Sequence, residues 1–256
     1  MILDWRAIYV IYLREFKKFL RERSRLAGTL IRPMLWLLVI GGGLSGIVIG
    51  QGEITYMQFI FPGMLGMTIL FASIFSTISI VWDREFGFLR EILVAPISRL
   101  SIVFGKALSG TVLSTIQVIL ILLLFPFIGL KLNFSQILIT ILISIPVSFG
   151  ITSLGIFIAS MLESFESFNV VMNFIIMPMF FLSGAMYPVN LLPPVLKMAA
   201  LINPLTYGID AMRNIMFAKI PPPLSADFPL TVDLAVVFLT CVVTIVLAAK
   251  SFERIR

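Results

Sequence analysis

The chain has 256 residues, of which 59% are hydrophobic and 12% are charged. Soluble domains carry about 25% charged residues, so this composition excludes an ordinary soluble domain and indicates a membrane protein. The sequence contains no histidine, the commonest general base and metal ligand, and its single cysteine, Cys241, excludes an intramolecular disulfide. The net charge of +6 comes from basic residues at the edges of apolar runs, which indicates topology signals and not a nucleic-acid surface.

Residues 4–25 predict an amphipathic helix. Apolar and aromatic residues recur there at the i, i+3, i+4 spacing of one helical face, while Lys and Arg occupy the remaining face and the end. A basic helix of this kind is typical of a segment that lies in the membrane interface. The alternative is a basic flank that only sets the orientation of the chain. We assign residues 1–30 to a cytoplasmic interface helix.

Six apolar runs follow, each long enough to cross about 30 Å of hydrocarbon, which takes roughly 20 helical residues. The predicted fold class is therefore an all-α membrane protein, with one six-span domain over residues 31–256. Eight Lys or Arg lie in residues 1–32, four in residues 82–106 and three in residues 250–256, against four on the opposite side. This asymmetry predicts that both termini face the cytoplasm. The predicted spans are 31–50, 57–81, 102–129, 135–161, 168–187 and 231–249.

The longest charged interruption between apolar runs in the first half of the chain is residues 82–106. Phe88, Leu89 and Ile92 share one face of a short predicted helix there. Pro96 ends that helix, because the residue before a proline avoids the α conformation. A short amphipathic helix held between two spans cannot move without moving both, so we interpret it as a lever on which another protein pushes.

Residues 188–230 are too apolar for a loop in water. Two candidate helices, at about residues 191–202 and 205–218, are too short to cross the membrane, and Asn203-Pro204 separates them. Short helices that enter the membrane and return fit this pattern, because such backbone is tolerated where protein or a cavity buries it. The alternative is a helical cap lying flat on the outer surface.

Polar residues inside the predicted spans allow two interpretations. One is a mildly polar lining of a translocation path. The other, which the residues alone favour, is helix packing, where small and hydroxylated side chains let backbones approach closely. The candidates for a path are Ser73, Ser76 and Thr77 in the second span and Asn169 and Asn173 in the fifth.

No carboxylate, Lys or Arg needs to lie in the middle of a predicted span. Ion-coupled transporters usually keep such groups inside the membrane, so the sequence disfavours an ion-coupled carrier. It also lacks the GxxxxGK[ST] phosphate loop, because Gly105-Lys106 has neither the upstream glycine nor the following hydroxyl. Energy for active transport would therefore come from a partner. A membrane assembly factor without transport activity stays open as a further alternative.

Two stretches of the sequence resemble the permeases of type-2 ABC transporters, the ABC-2 type. The cytoplasmic segment of that family is similar to REFGFLREILVAPISR followed by GKAL, and its C-terminal signature is similar to FFLSGAMYP, LPP and NPLTYGIDAMR. Order and spacing match over nearly the whole chain. The nearest resemblance is to the branch of drug-resistance and lipo-oligosaccharide (nodulation) exporters. A mild departure is the acidic loop at Glu163 and Glu166.

The resemblance implies a six-span half-transporter in a prokaryotic plasma (inner) membrane. It would form a homodimer, or a heterodimer, with a second permease copy and bind two cytoplasmic ABC ATPase subunits. ATP and Mg²⁺ would be held by those subunits, whereas this chain would bind no cofactor and no metal and would have no catalytic residue. The expected function is export of a hydrophobic or amphipathic substrate, such as a drug, a lipid or a lipo-oligosaccharide.

The resemblance also suggests roles for particular residues. The segment from about residue 84 to residue 96 would be the coupling helix, in which Glu91 pairs with a basic group of the ATPase while Phe88 and Leu89 fill its groove. Independently of the resemblance, the three-residue spacing of Asp210 and Arg213 places them on one helical face, so we expect them to pair and hold the second re-entrant helix in place. The alternative is a solvated surface pair. The expected ATPase-coupling residues are Arg84, Glu85, Gly87, Phe88, Leu89, Glu91 and Pro96, and the expected outer-gate residues are Gly184, Pro188, Pro204, Tyr207, Asp210 and Arg213.

Overall fold

Helices dominate the structure, as the predicted all-α fold class requires. The exception within the described residues is a pair of two-residue antiparallel strands, β1 (Val48–Ile49) and β2 (Ile54–Thr55), in which Val48 lies opposite Thr55. The computed structural model describes residues 3–21, 28, 31, 33–44, 48–49, 54–88, 94, 96–218 and 225–254.

We number the principal helices of this described part in chain order. They are α1 (Trp5–Arg21), α2 (Tyr56–Glu85), α3 (Arg99–Leu122), α4 (Phe134–Met161), α5 (Phe165–Phe181), α6 (Pro194–Ile202), α7 (Pro204–Met216) and α8 (Leu230–Arg254). α2 consists of the consecutive segments Tyr56–Phe59, Phe61–Ser76 and Ile78–Glu85, and α5 of Phe165–Val171, the π-helical Met172–Ile176 and Met177–Phe181. Shorter elements are the π-helix Leu37–Gly41 and the 3₁₀ turns Phe125–Ile128 and Val189–Leu191.

Four helices of the described chain are long and apolar enough to cross a membrane, namely α2, α3, α4 and α8. They lie at the predicted second, third, fourth and sixth spans, although α3 ends at Leu122 and not at the predicted residue 129. α5 lies at the predicted fifth span but is shorter than these four. The predicted first span, residues 31–50, lies partly outside the described residues.

Polar caps determine where several helices begin. Ser98 accepts a hydrogen bond from Ser101 N at 3.2 Å at the start of α3. At the start of α7, Asn203 accepts from Leu205 N at 3.1 Å, and Pro204 occupies the first turn, where its missing N–H has no cost. The predicted break between the two short helices at Asn203-Pro204 is therefore confirmed.

The core of the bundle lies around α2. Every residue from Phe61 to Ile74 is buried, because α3, α4 and α7 pack around this part of α2. α8 packs mainly against α4 and leaves Phe238 and Leu239 exposed on its other side. Apolar side chains facing outward along a membrane-length helix meet lipid or another apolar surface instead of water.

Candidate functional site

Four charged side chains from three helices meet where α2 ends and α3 begins. The Lys106 ammonium lies 3.0 Å from Glu15 Oε1 and 3.0 Å from Asp83 Oδ2, and it donates to Ser79 Oγ at 3.3 Å. Arg14 donates to both oxygens of Asp83, at 3.1 and 3.4 Å. The ammonium thus uses all three of its donors, and two positive charges compensate two negative ones. We call Arg14, Glu15, Asp83 and Lys106 the charge cluster.

Three members of the charge cluster are withdrawn from solvent. The side chains of Lys106, Asp83 and Glu15 are 4%, 3% and 8% exposed, whereas Arg14 is 44% exposed. Burial and the nearby Asp83 carboxylate work against the charged form of Glu15, but the Lys106 ammonium and the Arg14 guanidinium hold the pKa of Glu15 below its ordinary value. Removing one partner of such a buried set costs about 3–5 kcal/mol, because it leaves an uncompensated charge behind.

The charge cluster depends on a close approach of α1 to α3. A Cβ atom at Gly105 would lie 2.9 Å from Ile11 Cβ and 3.0 Å from the Ile8 carbonyl oxygen, so glycine allows the two helices to touch there. Asp4 N also donates to Ser101 Oγ at 3.0 Å. With α1 held against the start of α3 in this way, the Glu15 carboxylate reaches Lys106.

Lys106 lies both in the charged segment 82–106 and in the predicted span 102–129, and the sequence alone does not predict the charge cluster. α3 extends from Arg99 to Leu122, so Lys106 is in the third turn of a membrane-length helix and is buried there. Asp233, in the first turn of α8, is likewise buried, and Asn214 Nδ2 donates to it at 2.9 Å. The position of Glu15 could have indicated a buried ion pair. Glu15 lies on the same face of the predicted helix as Ile8 and Phe19, which are buried.

Arg84, expected to couple to an ATPase, points to a different partner in the structure. Its guanidinium donates to the carbonyl oxygens of Leu162 at 2.7 Å and Ser160 at 2.8 Å. These carbonyls belong to the end of α4, where a cation is favoured by the helix dipole. Arg84 therefore joins the end of α2 to the connection between α4 and α5.

The other expected coupling residues that the structure describes are exposed and lie at the end of α2 or after it. Glu85, Gly87, Phe88 and Pro96 are exposed, and Gly87 has a φ of 81°, which turns the chain sharply after the helix. Exposed aromatic side chains here, Phe88 at 52% and its neighbour Phe86 at 68%, leave an apolar surface without a partner in this chain's described part. Leu89 and Glu91 lie outside the described residues.

The far end of α2 holds a second candidate site, built around Arg213 of α7. Arg213 is 1% exposed and donates to the Gly184 carbonyl oxygen at 2.9 Å. Its guanidinium carbon lies 4.7 Å from the centre of the Phe59 ring, which is a cation–π contact. Gly184 has a φ of 72°, and a Cβ atom at Gly63 would overlap the Ala185 carbonyl. We call these five residues the Gly184 interlock.

Asp210 faces Arg213 on α7, but its shorter contacts go elsewhere. The nearest charged atoms of the two side chains are 3.9 Å apart. Asp210 instead accepts hydrogen bonds from the backbone N–H groups of Asp227 at 2.9 Å and Phe228 at 2.8 Å. Asp210 therefore fastens the segment before α8, whereas Arg213 fastens the turn at Gly184.

The remaining expected gate residues support the same region. Tyr207 donates from its hydroxyl to the Leu201 carbonyl oxygen at 2.8 Å, which ties α7 to α6. Pro204 begins α7, and Pro188 lies in extended backbone just before the turn Val189–Leu191. The structure thus brings Gly184, Asp210 and Arg213 close together and leaves the prolines as breaks between elements.

The five candidate path residues separate into two groups. Ser73, Ser76 and Thr77 lie within the bundle, and their hydroxyls donate to the carbonyl oxygens of Ser148, Ser73 and Ile74 at 3.4, 2.6 and 2.7 Å. The first of these hydrogen bonds joins α2 to α4, and the other two lie within α2 itself. Asn169 and Asn173 are exposed on α5, where Asn173 Nδ2 donates to the Asn169 carbonyl oxygen at 3.1 Å.

Within the described residues, no group of three or more His, Cys, Asp or Glu side chains is arranged to hold a metal ion. The charge cluster and the Gly184 interlock join helices through ion pairs and hydrogen bonds. Together with the four membrane-length helices of the described part, they define a multi-pass membrane protein.

The chain belongs to the ABC-2 type transporter family, whose sequence profile matches residues 6–217. A relative named "Putative transport permease ycf38" from Cyanophora paradoxa is 34% identical over 210 residues, covering 80% of this chain and 72% of the relative. "Nodulation protein J" from Rhizobium leguminosarum bv. trifolii is 28% identical, covering 84% and 81%. "Inner membrane transport permease YadH" from Escherichia coli (strain K12) is 28% identical, covering 93% of both chains.

Proposed function

We propose that this chain is the permease subunit of an ATP-driven exporter that works with a separate ABC ATPase. Membership of the ABC-2 type transporter family carries this proposal, and three relatives are named as transport permeases or as a nodulation protein. The 256-residue sequence has no GxxxxGK[ST] loop, so the ATP would be bound and hydrolysed, with Mg²⁺, by the partner subunit.

The substrate of the exporter is proposed to be hydrophobic or amphipathic, such as a drug, a lipid or a lipo-oligosaccharide. The resemblance to the drug-resistance and lipo-oligosaccharide branch supports this class, as does the similarity to a nodulation protein. Transport would run out of the cytoplasm of a prokaryotic cell, across the inner membrane.

The proposed topology has six spans, with both termini and the charge cluster on the cytoplasmic side. The excess of fifteen over four basic residues supports this orientation. A dimer of permeases with two ATPases is the proposed assembly. Asn169 and Asn173 are exposed on α5, and their amides are poorly matched to lipid, which favours a second permease copy there.

The proposed mechanism uses the charge cluster as a rigid joint. An ATPase pressing on the exposed segment after α2 would move α2, and the buried ion pairs would carry α1 and α3 with it. Arg84 would pass the same movement to α4. At the other end of α2, the Gly184 interlock would close the path to the outside until α2 moves away from Ala185 and Arg213.

The alternative function is that of an ion-coupled carrier, because the charge cluster consists of ionisable groups that are mostly buried. Buried ionisable groups often bind the coupling ion in such carriers. Here, however, Lys106 and Arg14 already occupy the carboxylates of Glu15 and Asp83 at hydrogen-bonding distance. The cluster thus offers a cation no free carboxylate, and the exporter is the better account.

The proposal is tested by purifying the tagged chain from native membranes. We expect a cytoplasmic ATPase with a phosphate loop to co-purify, in a complex of two permeases and two ATPases. The complex should hydrolyse ATP, and the chain stripped of that subunit should not. ATP turnover by the isolated chain, or the absence of any ATPase from gently solubilised material, would refute the proposal.

A further inference from the structure

The helix α1 has an outward surface that the charge cluster does not use. Ile8, Glu15 and Phe19 are buried against the bundle, so they mark the inward face of the helix. The rest of α1 runs along the outside of α3, from the contact of Asp4 with Ser101 onward. This outward surface consists of two parallel stripes with different chemistry.

The first stripe is aromatic. Trp5, Tyr9, Tyr12 and Phe16 recur at intervals of four, three and four residues, which places them on one side of the helix. Trp5 and Tyr9 are 71% and 61% exposed, and the rings of Tyr12 and Phe16 stack with their centres 5.7 Å apart. Rings of Trp and Tyr are favoured at the level of lipid headgroups, because one end is apolar and the other is polar.

The second stripe is basic. Arg6, Lys17 and Arg21 are exposed and are separated by eleven and four residues, so they follow the helix on one side next to the aromatic stripe. The acidic residue of α1, Glu15, points inward and is compensated by Lys106. The outward surface therefore carries positive charge without an acidic side chain.

We propose that these two stripes bind anionic phospholipids of the adjacent leaflet. The rings would sit at the boundary of headgroups and acyl chains, and the long Lys and Arg side chains would reach the phosphate level. An uncharged or zwitterionic surface would satisfy the aromatic stripe alone, whereas the basic stripe is complementary to net negative charge. The inference rests on the proposed function only for the membrane position of α1, and not on the use of ATP.

Trp5 provides a direct probe of this surface. The chain has three tryptophans, and changing Trp36 and Trp82 to Phe leaves Trp5 as the fluorophore in the full-length protein. The protein is placed in nanodiscs containing an equal, small fraction of brominated phosphatidylglycerol or brominated phosphatidylcholine. We expect Trp5 to be quenched by both lipids and more strongly by phosphatidylglycerol.

The basic stripe is tested with a matched pair of variants. Lys17→Gln/Arg21→Gln removes two charges from α1, and Lys131→Gln/Lys250→Gln removes two exposed charges elsewhere. Each Lys or Arg at an anionic surface strengthens binding about fivefold, so the first variant should lose most of the preference for phosphatidylglycerol. The second variant should keep it.

A second measurement uses the protein with all three tryptophans, in case the Trp variants fail to fold. The phospholipids retained by the detergent-purified wild-type chain should be enriched in phosphatidylglycerol relative to the Lys17→Gln/Arg21→Gln variant. Equal quenching by the two lipids, no quenching by either, or an unchanged preference in the α1 variant would overturn the proposal. No step uses ATP, so a failure here is distinct from a failure of the proposed export function.

Discussion

The Lys106 ammonium on α3 lies 3.0 Å from the Glu15 carboxylate on α1, 91 residues earlier in the chain. Both side chains are buried, and Asp83 at the end of α2 shares the same ammonium. Three helices are therefore joined by contacts that cannot be broken singly without leaving a buried charge. The cluster links the amphipathic helix to the segment on which we expect an ATPase to act.

Removal of Lys106 should destabilise the protein more than removal of the whole pair. Lys106→Met leaves Glu15 and Asp83 facing each other with only Arg14 to balance them, which should cost about 3–5 kcal/mol. Adding Glu15→Gln leaves the balanced pair of Arg14 and Asp83, so the double variant should regain part of the lost stability. Thermal unfolding of the detergent-purified variants measures this, with Lys250→Met as an exposed control. A double variant whose loss equals the sum of the losses of Lys106→Met and Glu15→Gln measured singly would show that the charges do not act together.

The approach of α1 to α3 should fail when Gly105 gains a side chain. Gly105→Ala places a Cβ atom 2.9 Å from Ile11, which forces the helices apart. We expect trypsin to cut within α1 several times faster in this variant than in the wild type, because local opening becomes easier. Gly43→Ala is the control, because a Cβ atom at Gly43 meets nothing within 4 Å. Equal cleavage rates in the two variants would mean that α1 is held by other contacts.

Asp210 and Arg213 should behave as two anchors and not as one ion pair. Their charged atoms are 3.9 Å apart, whereas the hydrogen bonds of each to backbone groups are 2.8–2.9 Å long. Each single variant, Asp210→Ala or Arg213→Ala, should lose about 1–3 kcal/mol by stranding different backbone groups.

A double-mutant cycle on thermal stability separates the two cases. We expect the losses from Asp210→Ala and Arg213→Ala to add, with a coupling energy below that of the Glu15–Lys106 cycle. A double variant no less stable than either single variant would restore the original hypothesis of a single unit.

Local features of the fold could be predicted from the sequence. Runs of apolar residues placed α2, α3, α4 and α8, and the Asn203-Pro204 break followed from proline geometry and a side-chain cap. Each of these depends on residues that are near one another in the chain. The family resemblance supplied the rest of the architecture.

Long-range contacts could not be predicted in the same way. The pairing of Glu15 with Lys106 depends on where α1 lies against α3, and no periodicity records that position. The hydrogen bonds of Arg84 to the last carbonyls of α4 join residues 76 and 78 positions apart, and no local pattern indicates them. The ion pair of Asp210 with Arg213 follows from their spacing, whereas the hydrogen bonds that Asp210 accepts from the backbone of Asp227 and Phe228 leave no trace in the side-chain pattern.

Two sets of contacts show which segments lie at the same end of the bundle. Arg84 places the end of α2 beside Leu162, whereas Tyr56 donates to the Met186 carbonyl oxygen at 3.2 Å and Gln58 to Gly129 at 3.1 Å. We expect a reporter inserted at Glu163 and a reporter fused after Arg256 both to read cytoplasmic. A reporter inserted at Lys131 should read external. An external reading at Glu163 would contradict the six-span topology.

The energy source of transport is the most direct test of the whole account. A fluorescent amphipathic dye is added to the medium around inside-out vesicles that contain the permease and its partner ATPase. Its uptake is followed with either ATP or an imposed proton or sodium gradient. We predict uptake with ATP alone, abolished by a hydrolysis-deficient ATPase subunit. Uptake that follows an ion gradient and persists with the inactive ATPase would contradict the account.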